Sequence, residues 1–183
     1  MNVVLFGAPG SGKGTQAVKI SEHFGIRKIS LGDILRAEVA KGTDLGNEVK
    51  SYMERGVLAP DEVVAKVIEA NVSENGFLLD GYPRNRAQAE TLDEILEKKQ
   101  MKIDVFLYLE IDEETIIDRL MNRGRTDDNR EVIQKRWEVF ARELPGVLDY
   151  YRQSGTLCAI DGKGTIEEVY KRVRDALEKC PNR

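Results

Sequence analysis

A glycine-rich loop between an apolar stretch and a helical pattern constrains this chain more than any other feature. The segment GAPGSGKGT, residues 7–15, follows directly on NVVLF and contains Gly7, Gly12 and Lys13 in the pattern G-x-x-x-x-G-K. Where that pattern joins a strand to a helix, backbone N–H groups surround phosphate oxygens and the lysine reaches the outer phosphates. The loop therefore predicts a site for a nucleoside triphosphate. An ordinary turn, whose glycines serve packing alone, is the alternative.

The rest of the chain alternates short apolar runs with longer helical patterns. Several of the runs have consecutive hydrophobic residues, as strands buried on both faces do, and the alternation favours a parallel sheet covered by helices. Asp128 and Glu131 have the spacing of a capping box at the start of the longest helix. The predicted strands are 2–6, 27–30, 77–80, 104–111 and 156–160. The predicted helices are 13–24, 33–41, 44–55, 61–72, 86–99, 113–123, 128–152 and 165–179.

Composition and charge exclude several classes of protein. The 183 residues suit one domain with a sizeable core. A net charge of −4 argues against general nucleic-acid binding, and no apolar run is long enough to span a bilayer. The single histidine, His23, excludes a His-cluster metal site, and the two cysteines are too few for a disulfide framework or a four-cysteine zinc site. Since the N-terminus also lacks a signal-peptide pattern, we expect a soluble protein of the cytoplasm.

Two short segments place polar side chains after predicted strands. In FLLDGYPR, Asp80 ends a buried strand, a position from which an acid commonly holds magnesium through its waters. Arg84 supplies a planar guanidinium group suited to phosphate. In SLGDILR, Arg36 follows Asp33 on the next predicted helix. The structural alternatives are that Asp80 only caps a turn and that Arg36 is a solvated surface charge.

Four arginines concentrate around one predicted turn in the second half of the chain. Arg119 and Arg123 are four residues apart, so they project from one helix face. Arg125 follows after a glycine, and Arg136 lies on the next predicted helix. Arginines on helix surfaces commonly pair with acids and do nothing more. Four of them around one short turn favour the binding of a polyanion.

Four motifs together resemble the adenylate kinase family. GAPGSGKGTQ, SLGDILR, LLDGYPRNRAQ and RGRTDDN occur in this order and at the separations of that family, with matching elements from residue 2 to the final helix. The resemblance implies a three-layer P-loop NTPase fold with a five-stranded parallel sheet flanked by helices, and it suggests a cis bond between Tyr82 and Pro83. It divides a single domain, 1–183, into a core, an AMP-binding helical insertion and a lid. The implied core is 1–29, 60–122 and 130–183, the insertion is 30–59, and the short lid loop is 123–129.

The resemblance also implies a reaction, the reversible transfer of a phosphoryl group from Mg·ATP to AMP by direct in-line transfer, giving two ADP. Magnesium would be held by Asp80 through water. Either Thr15 would stand in for the hydroxyl residue that many such loops have at position 14, or the ion would be held mainly by water and phosphate. The partners would be ATP, AMP and ADP, bound by a monomer. The implied catalytic residues are Lys13, Arg84, Arg119, Arg123, Arg125 and Arg136. The implied ATP-binding residues are Gly10, Ser11, Gly12, Lys13, Gly14, Thr15, Arg119, Arg123 and Gly164. The implied AMP-binding residues are Leu31, Arg36, Val57, Leu58, Ala59, Gly81, Tyr82, Pro83, Arg84, Gln88, Arg125 and Arg136.

Departures from the family pattern bear on the metal and on specificity. Only two residues separate Gly124 from Asp127, and since this very short lid has no cysteine, a zinc-stapled lid is excluded. Leu31 stands where the family usually has threonine, and the related UMP/CMP kinases have alanine there. Those kinases have asparagine at the position of Gln88, whose amide offers adenine a paired donor and acceptor, so AMP is favoured. A UMP/CMP or broad-specificity kinase and a non-catalytic nucleotide-binding module are the alternatives.

Overall fold

The computed structural model describes residues 1–121 and 129–179, and within them the predicted elements form close to their predicted bounds. The strands are β1 (Asn2–Gly7), β2 (Arg27–Ser30), β3 (Phe77–Asp80), β4 (Val105–Glu110) and β5 (Leu157–Asp161). The helices are α1 (Lys13–Phe24), α2 (Leu31–Lys41), α3 (Asp44–Glu54), α4 (Asp61–Asn71), α5 (Arg86–Lys98), α6 (Glu113–Met121), α7 (Arg130–Gln153) and α8 (Ile166–Lys179). None of the helices in the described ranges is long and apolar enough to cross a bilayer.

The described strands form one five-stranded parallel sheet in the order β2-β3-β1-β4-β5. This confirms the predicted α/β fold with helices around a parallel sheet. Strand β1 lies at the centre of the sheet, and its consecutive apolar residues, 3–6, are all buried. Side chains alternate between its faces, so Val4 joins a cluster with Tyr151 of α7, whereas Val3 joins a cluster with Val173 of α8. Helices therefore bury both faces of the sheet, which gives the three layers.

The carboxyl ends of the three neighbouring strands β1, β2 and β3 meet at one edge of the sheet. Asp80, the last residue of β3, is in register with Leu5 of β1 on one side and with Ser30 of β2 on the other. The peptide bond between Tyr82 and Pro83, just beyond β3, is cis, as the resemblance suggested. Ligands of open parallel sheets bind outside the carboxyl ends of the strands, so this edge positions the site.

Between β2 and β3 the chain forms α2, α3 and α4 in succession. Helices α2 and α3 pack tightly, because Gly46 brings the backbone of α3 against the backbone of Glu38. Helix α2 begins at Leu31, two residues earlier than predicted, since the Ser30 side chain accepts a hydrogen bond from the Asp33 N–H and caps the helix there. The chain then returns through residues 56–60 towards α4 and the core.

The capping box predicted at Asp128 and Glu131 was wrong for the start of α7. The helix begins at Arg130, and Asn129 is its N-cap, with the Asn129 side-chain oxygen accepting from the Val132 N–H at 2.9 Å. Asp128 lies outside the described residues. Asparagine caps a helix as well as aspartate does, so moving the N-cap by one residue, from Asp128 to Asn129, leaves the cap equally satisfied.

Removing this cap should destabilise the protein without touching the cleft described below. We expect Asn129→Ala to lower the free energy of unfolding by about 1 kcal/mol, because the Val132 N–H loses its acceptor. Urea denaturation monitored by circular dichroism measures the change. Glu131→Ala is the matched control and should cost less than Asn129→Ala. An equal or larger loss of unfolding free energy in Glu131→Ala would instead support the capping box formed by Asp128 and Glu131.

Candidate active site

The glycine loop between β1 and α1 bends back on itself and is held closed by Lys13. Gly10 and Gly12 have φ values of +87° and +93°, which glycine adopts without strain. The Lys13 ammonium donates hydrogen bonds to the carbonyl oxygens of Gly7 and Ala8, both at 2.7 Å. The loop therefore surrounds the start of α1, where backbone N–H groups and the helix dipole favour an anion.

A cleft of about 660 Å³ opens beside this loop, at the carboxyl ends of β1, β2 and β3. Its volume falls in the range of small-molecule sites. The cations that line it are Lys13, Lys28, Arg36, Arg84, Arg119 and Arg136, and the lining carboxylates are Asp33 and Asp80. Among the described residues, six lining cations against two lining carboxylates leave four net positive charges, in a chain whose own net charge is −4. This separation of charge suits a polyanionic ligand.

Three arginines share one part of the cleft. The Arg84 side chain has accessible surface on the cleft side, yet burial within the surrounding protein lowers the pKa of its guanidinium group. Repulsion from Arg136 and Arg36 lowers the pKa further, and attraction by Asp80 opposes them. The Arg84 Nε donates to the Gly81 carbonyl at 2.8 Å, which fixes the guanidinium group in place. Cations held this close to one another favour a bound anion that relieves their repulsion.

Asp33 holds the side chain of Arg36, the arginine of α2 that lines the cleft. The Arg36 guanidinium donates to the Asp33 carboxylate at 2.5 Å, and the Lys28 ammonium lies 3.7 Å from its other oxygen. Desolvation raises the pKa of Asp33, but hydrogen bonds from Arg36 and Ser30 outweigh it and lower the pKa overall. Asp33 therefore stays ionised near neutral pH and holds Arg36 at the rim of the cleft, within reach of a ligand.

Asp80 lies where the glycine loop and the arginine cluster meet. It is 9% exposed, and its Oδ2 lies 4.0 Å from the point that a Cβ atom on Gly14 would occupy. Among the described residues, no group of three or more His, Cys, Asp or Glu side chains could hold a metal ion. One carboxylate beside a phosphate loop fits Mg²⁺, which keeps most of its waters and takes its remaining ligands from phosphate oxygens.

The cleft is also lined by one amide and by apolar side chains of the segment 31–64, which we call the apolar wall. The amide is that of Gln88, which is 2% exposed. Its Nε2 donates to Asp61 Oδ1 at 2.7 Å, and its Oε1 accepts from the Arg84 backbone N–H at 2.7 Å. The apolar residues lining this wall are Leu31, Leu35, Met53, Val57, Leu58, Ala59 and Val64. Apolar side chains with a few placed polar groups are the usual lining of a site for a small organic ligand.

Comparison with protein-family models assigns this arrangement to a family. The model described as adenylate kinase matches residues 5–156. The chain belongs to the adenylate kinase family. It is 46% identical to the adenylate kinase of Thermobifida fusca, over 97% of this chain and 98% of that protein. It is 44% identical to that of Xanthomonas campestris pv. campestris, with 97% and 99% covered, and 40% identical to that of Corynebacterium urealyticum, with 98% and 100% covered.

Most residues that the family resemblance implied do line the cleft. These are Gly10, Gly12, Lys13, Gly14, Thr15, Leu31, Arg36, Val57, Leu58, Ala59, Asp80, Gly81, Pro83, Arg84, Gln88, Arg119 and Arg136. Ser11 and Tyr82 are buried beside it, and the Tyr82 hydroxyl donates to the Gln88 carbonyl at 3.1 Å. Gly164 lies apart, in the loop before α8. Arg123, Arg125 and the lid loop up to residue 128 lie outside the described residues.

Sequence reasoning missed two kinds of residue in this adenylate kinase site. Lys28 lines the cleft from β2, and its position two residues before the end of that strand, whose last residue is in register with Asp80, was the available signal. Val64 and Phe140 line the cleft from α4 and α7. Their spacing looks like that of ordinary core residues, so no local pattern marked them. Packing between distant helices, which the sequence does not display, brings them to the cleft.

Proposed function

We propose that the protein is an ATP:AMP phosphotransferase that converts Mg·ATP and AMP reversibly into two ADP. The observation that carries this is one cleft lined by the phosphate-binding loop, by an arginine cluster, and by apolar side chains with Gln88. We infer that two nucleotides would bind in it with their phosphates facing each other. The relatives named above carry the name adenylate kinase, which supports the same activity.

Transfer in this cleft would rest on position and charge. Backbone N–H groups of residues 10–15 would hold the ATP phosphates, with Lys13 on the outer ones. The Arg119 Nη1 lies 3.5 Å from the Ser11 carbonyl, so Arg119 would add charge on the ATP side. Arg36 and Arg84 would hold the AMP phosphate in line, and Arg136 would serve the transferring group. We extend the same role to Arg123 and Arg125.

Closure around both substrates is part of the proposal. Water inside an open site would take the phosphoryl group, so the insertion at 30–59 and the lid at 123–129 would close over the nucleotides before transfer. No phosphoenzyme is needed, since a loose phosphoryl transition state needs little covalent help. The enzyme would act as a monomer, because closing parts need free surface, and in the cytoplasm, where these nucleotides are made and used.

Magnesium would be held by Asp80 through water, with Thr15 standing in for the hydroxyl residue that many such loops have at position 14. Magnesium held there would supply positive charge against the negative charge of the phosphates. Asp80 is nearly buried between the two phosphate-binding parts of the cleft, which supports this assignment. Zinc has no place in this chemistry.

The decisive experiment compares phosphoryl acceptors. Phosphoryl transfer from ATP with excess Mg²⁺ is measured for AMP, UMP, CMP and GMP at equal concentrations, with EDTA as the control. We expect AMP to be the strongly preferred acceptor and EDTA to abolish transfer. Comparable rates with UMP or CMP would mean that Leu31 has redirected the pocket. No transfer to any acceptor, with ATP still bound, would contradict the proposal and favour a non-catalytic binding module.

A further inference from the structure

The geometry points to Asp61 as the residue that fixes the orientation of the Gln88 amide and so lets the cleft distinguish adenine from bases with the opposite edge. This inference rests on the function proposed above and adds a positioning residue to it. Asp61 is the first residue of α4, so the sequence presents it as an ordinary acid at the start of a helix. Its contacts across the structure give it another role.

Both polar ends of the Gln88 amide have partners that admit only one orientation. An ionised carboxylate only accepts hydrogen bonds, so the group facing Asp61 Oδ1 at 2.7 Å must be the NH₂ of Gln88. A backbone N–H only donates, so the group facing the Arg84 N–H at 2.7 Å must be the amide oxygen. A flipped amide would set oxygen against carboxylate and NH₂ against N–H. Chemistry alone therefore determines which way this side chain points.

Asn85 ties the same residues together. Its side-chain oxygen caps α5 by accepting from the Gln88 backbone N–H at 2.7 Å. Its NH₂ lies 3.3 Å from each oxygen of the Asp61 carboxylate. The start of α4 and the start of α5 are thus joined through one carboxylate, with Gln88 held between them.

The fixed amide has one N–H and one oxygen lone pair left for a ligand in the cleft that Gln88 lines. Adenine presents an exocyclic amino donor next to a ring-nitrogen acceptor, which matches this pair. Hypoxanthine has the same shape but presents a carbonyl acceptor next to a ring N–H, which reverses the pattern. With the amide held in this orientation, the ring N–H of IMP would face the NH₂ of Gln88, and the carbonyl oxygen of IMP would face the Gln88 amide oxygen. Without the hydrogen bond to Asp61, the Gln88 amide is freer to rotate and can bind either base.

The test compares Asp61→Ala with Glu62→Ala, which removes the neighbouring first-turn acid of α4 but is exposed to solvent. Steady-state transfer from Mg·ATP is measured with AMP and with IMP. For Asp61→Ala we expect about a tenfold rise in the KM for AMP and about a tenfold loss of AMP-over-IMP selectivity, as for one hydrogen bond to a charged group. The kcat at saturating AMP and the KM for ATP should stay within about twofold. Glu62→Ala should leave all four quantities unchanged.

Two further variants show whether Asp61 acts through Gln88. In a Gln88→Ala background, Asp61→Ala should change the KM for AMP less than about twofold, since its target is gone. Asp61→Asn keeps one oxygen acceptor for the Gln88 amide and should recover part of the AMP-over-IMP selectivity. If Asp61→Ala fails to fold, this variant still tests the inference. Equal effects of Asp61→Ala and Glu62→Ala, or a full Asp61→Ala effect in the Gln88→Ala background, would overturn the inference. The wild-type preference for AMP would then still support the proposed function.

Discussion

Replacing Lys13 with methionine is expected to lower kcat/KM for transfer from Mg·ATP to AMP by about a thousandfold, as loss of a principal cation does at phosphoryl-transfer sites. Methionine keeps the length and apolar volume of the lysine stem but has neither charge nor hydrogen-bond donors. The outer phosphates of ATP would lose the positive charge of the lysine, which would otherwise stabilise the negative charge on them in the transition state. The carbonyls of Gly7 and Ala8 would also lose the ammonium that bridges them at 2.7 Å.

These two losses have different kinetic signatures. Loss of charge in the transition state lowers kcat, whereas a loosened loop weakens ATP in the ground state and raises its KM. We expect the fall in kcat to be the larger effect. A coupled assay of ADP formation gives both constants, and calorimetry of ATP binding measures the ground-state part directly.

Lys19→Met is the matched control for this prediction. Lys19 lies on the same helix, α1, and pairs with Glu167 at 2.7 Å; this hydrogen bond raises its pKa. It does not line the cleft. We expect its removal to leave transfer within about twofold, since an exposed ion pair contributes little to stability. Equal activity of the two variants would show that the loop does not hold the transferred phosphate.

Local patterns were enough to predict most of the fold. The consecutive apolar residues of β1 and β3 gave both strands and their buried position, and parallel pairing followed from the helices between strands. Asp80 could be placed near the glycine loop for the same reason, because the carboxyl ends of neighbouring parallel strands meet at one edge. The start of α7 was misplaced by two residues, since Asp128 and Asn129 are both good N-caps and the sequence does not rank them.

Contacts between distant segments could not be predicted in the same way. The repulsion of Arg84 by Arg36 and Arg136 depends on how α2, the turn after β3 and α7 pack together. The hydrogen bond from Gln88 to Asp61 spans 27 residues, and Asp61 matches the pattern of a helix-start acid so well that nothing suggests a second role. A local sequence pattern predicts the structure of one helix or strand, whereas these contacts form between helices and strands that are distant in sequence.

The contact between α2 and α3 is another such feature and leads to the largest expected effect on stability. A Cβ atom on Gly46 would lie 2.2 Å from the Glu38 carbonyl oxygen and 2.6 Å from the Val39 nitrogen. Both are backbone atoms, so no side chain can turn away and the helices must separate. We expect Gly46→Ala to lower the free energy of unfolding by about 3 kcal/mol, the upper part of the range for overpacking. In a domain of this size the thermal midpoint would fall by about 6–12 °C.

Gly146→Ala is the same substitution at another helical glycine, but we expect it to raise the free energy of unfolding. Gly146 also lies inside a helix, α7, but a Cβ atom there would meet only the Arg86 Cβ at 3.7 Å, an ordinary contact. Alanine favours a helix interior over glycine by about 0.5–1 kcal/mol, so this variant should be slightly more stable than the wild type. Thermal and urea unfolding of both variants measure the contrast. If Gly46→Ala were as stable as Gly146→Ala, α2 and α3 would have to pack further apart in solution than they do in this fold, and Leu35 and Arg36 on α2 would then lie farther from the cleft.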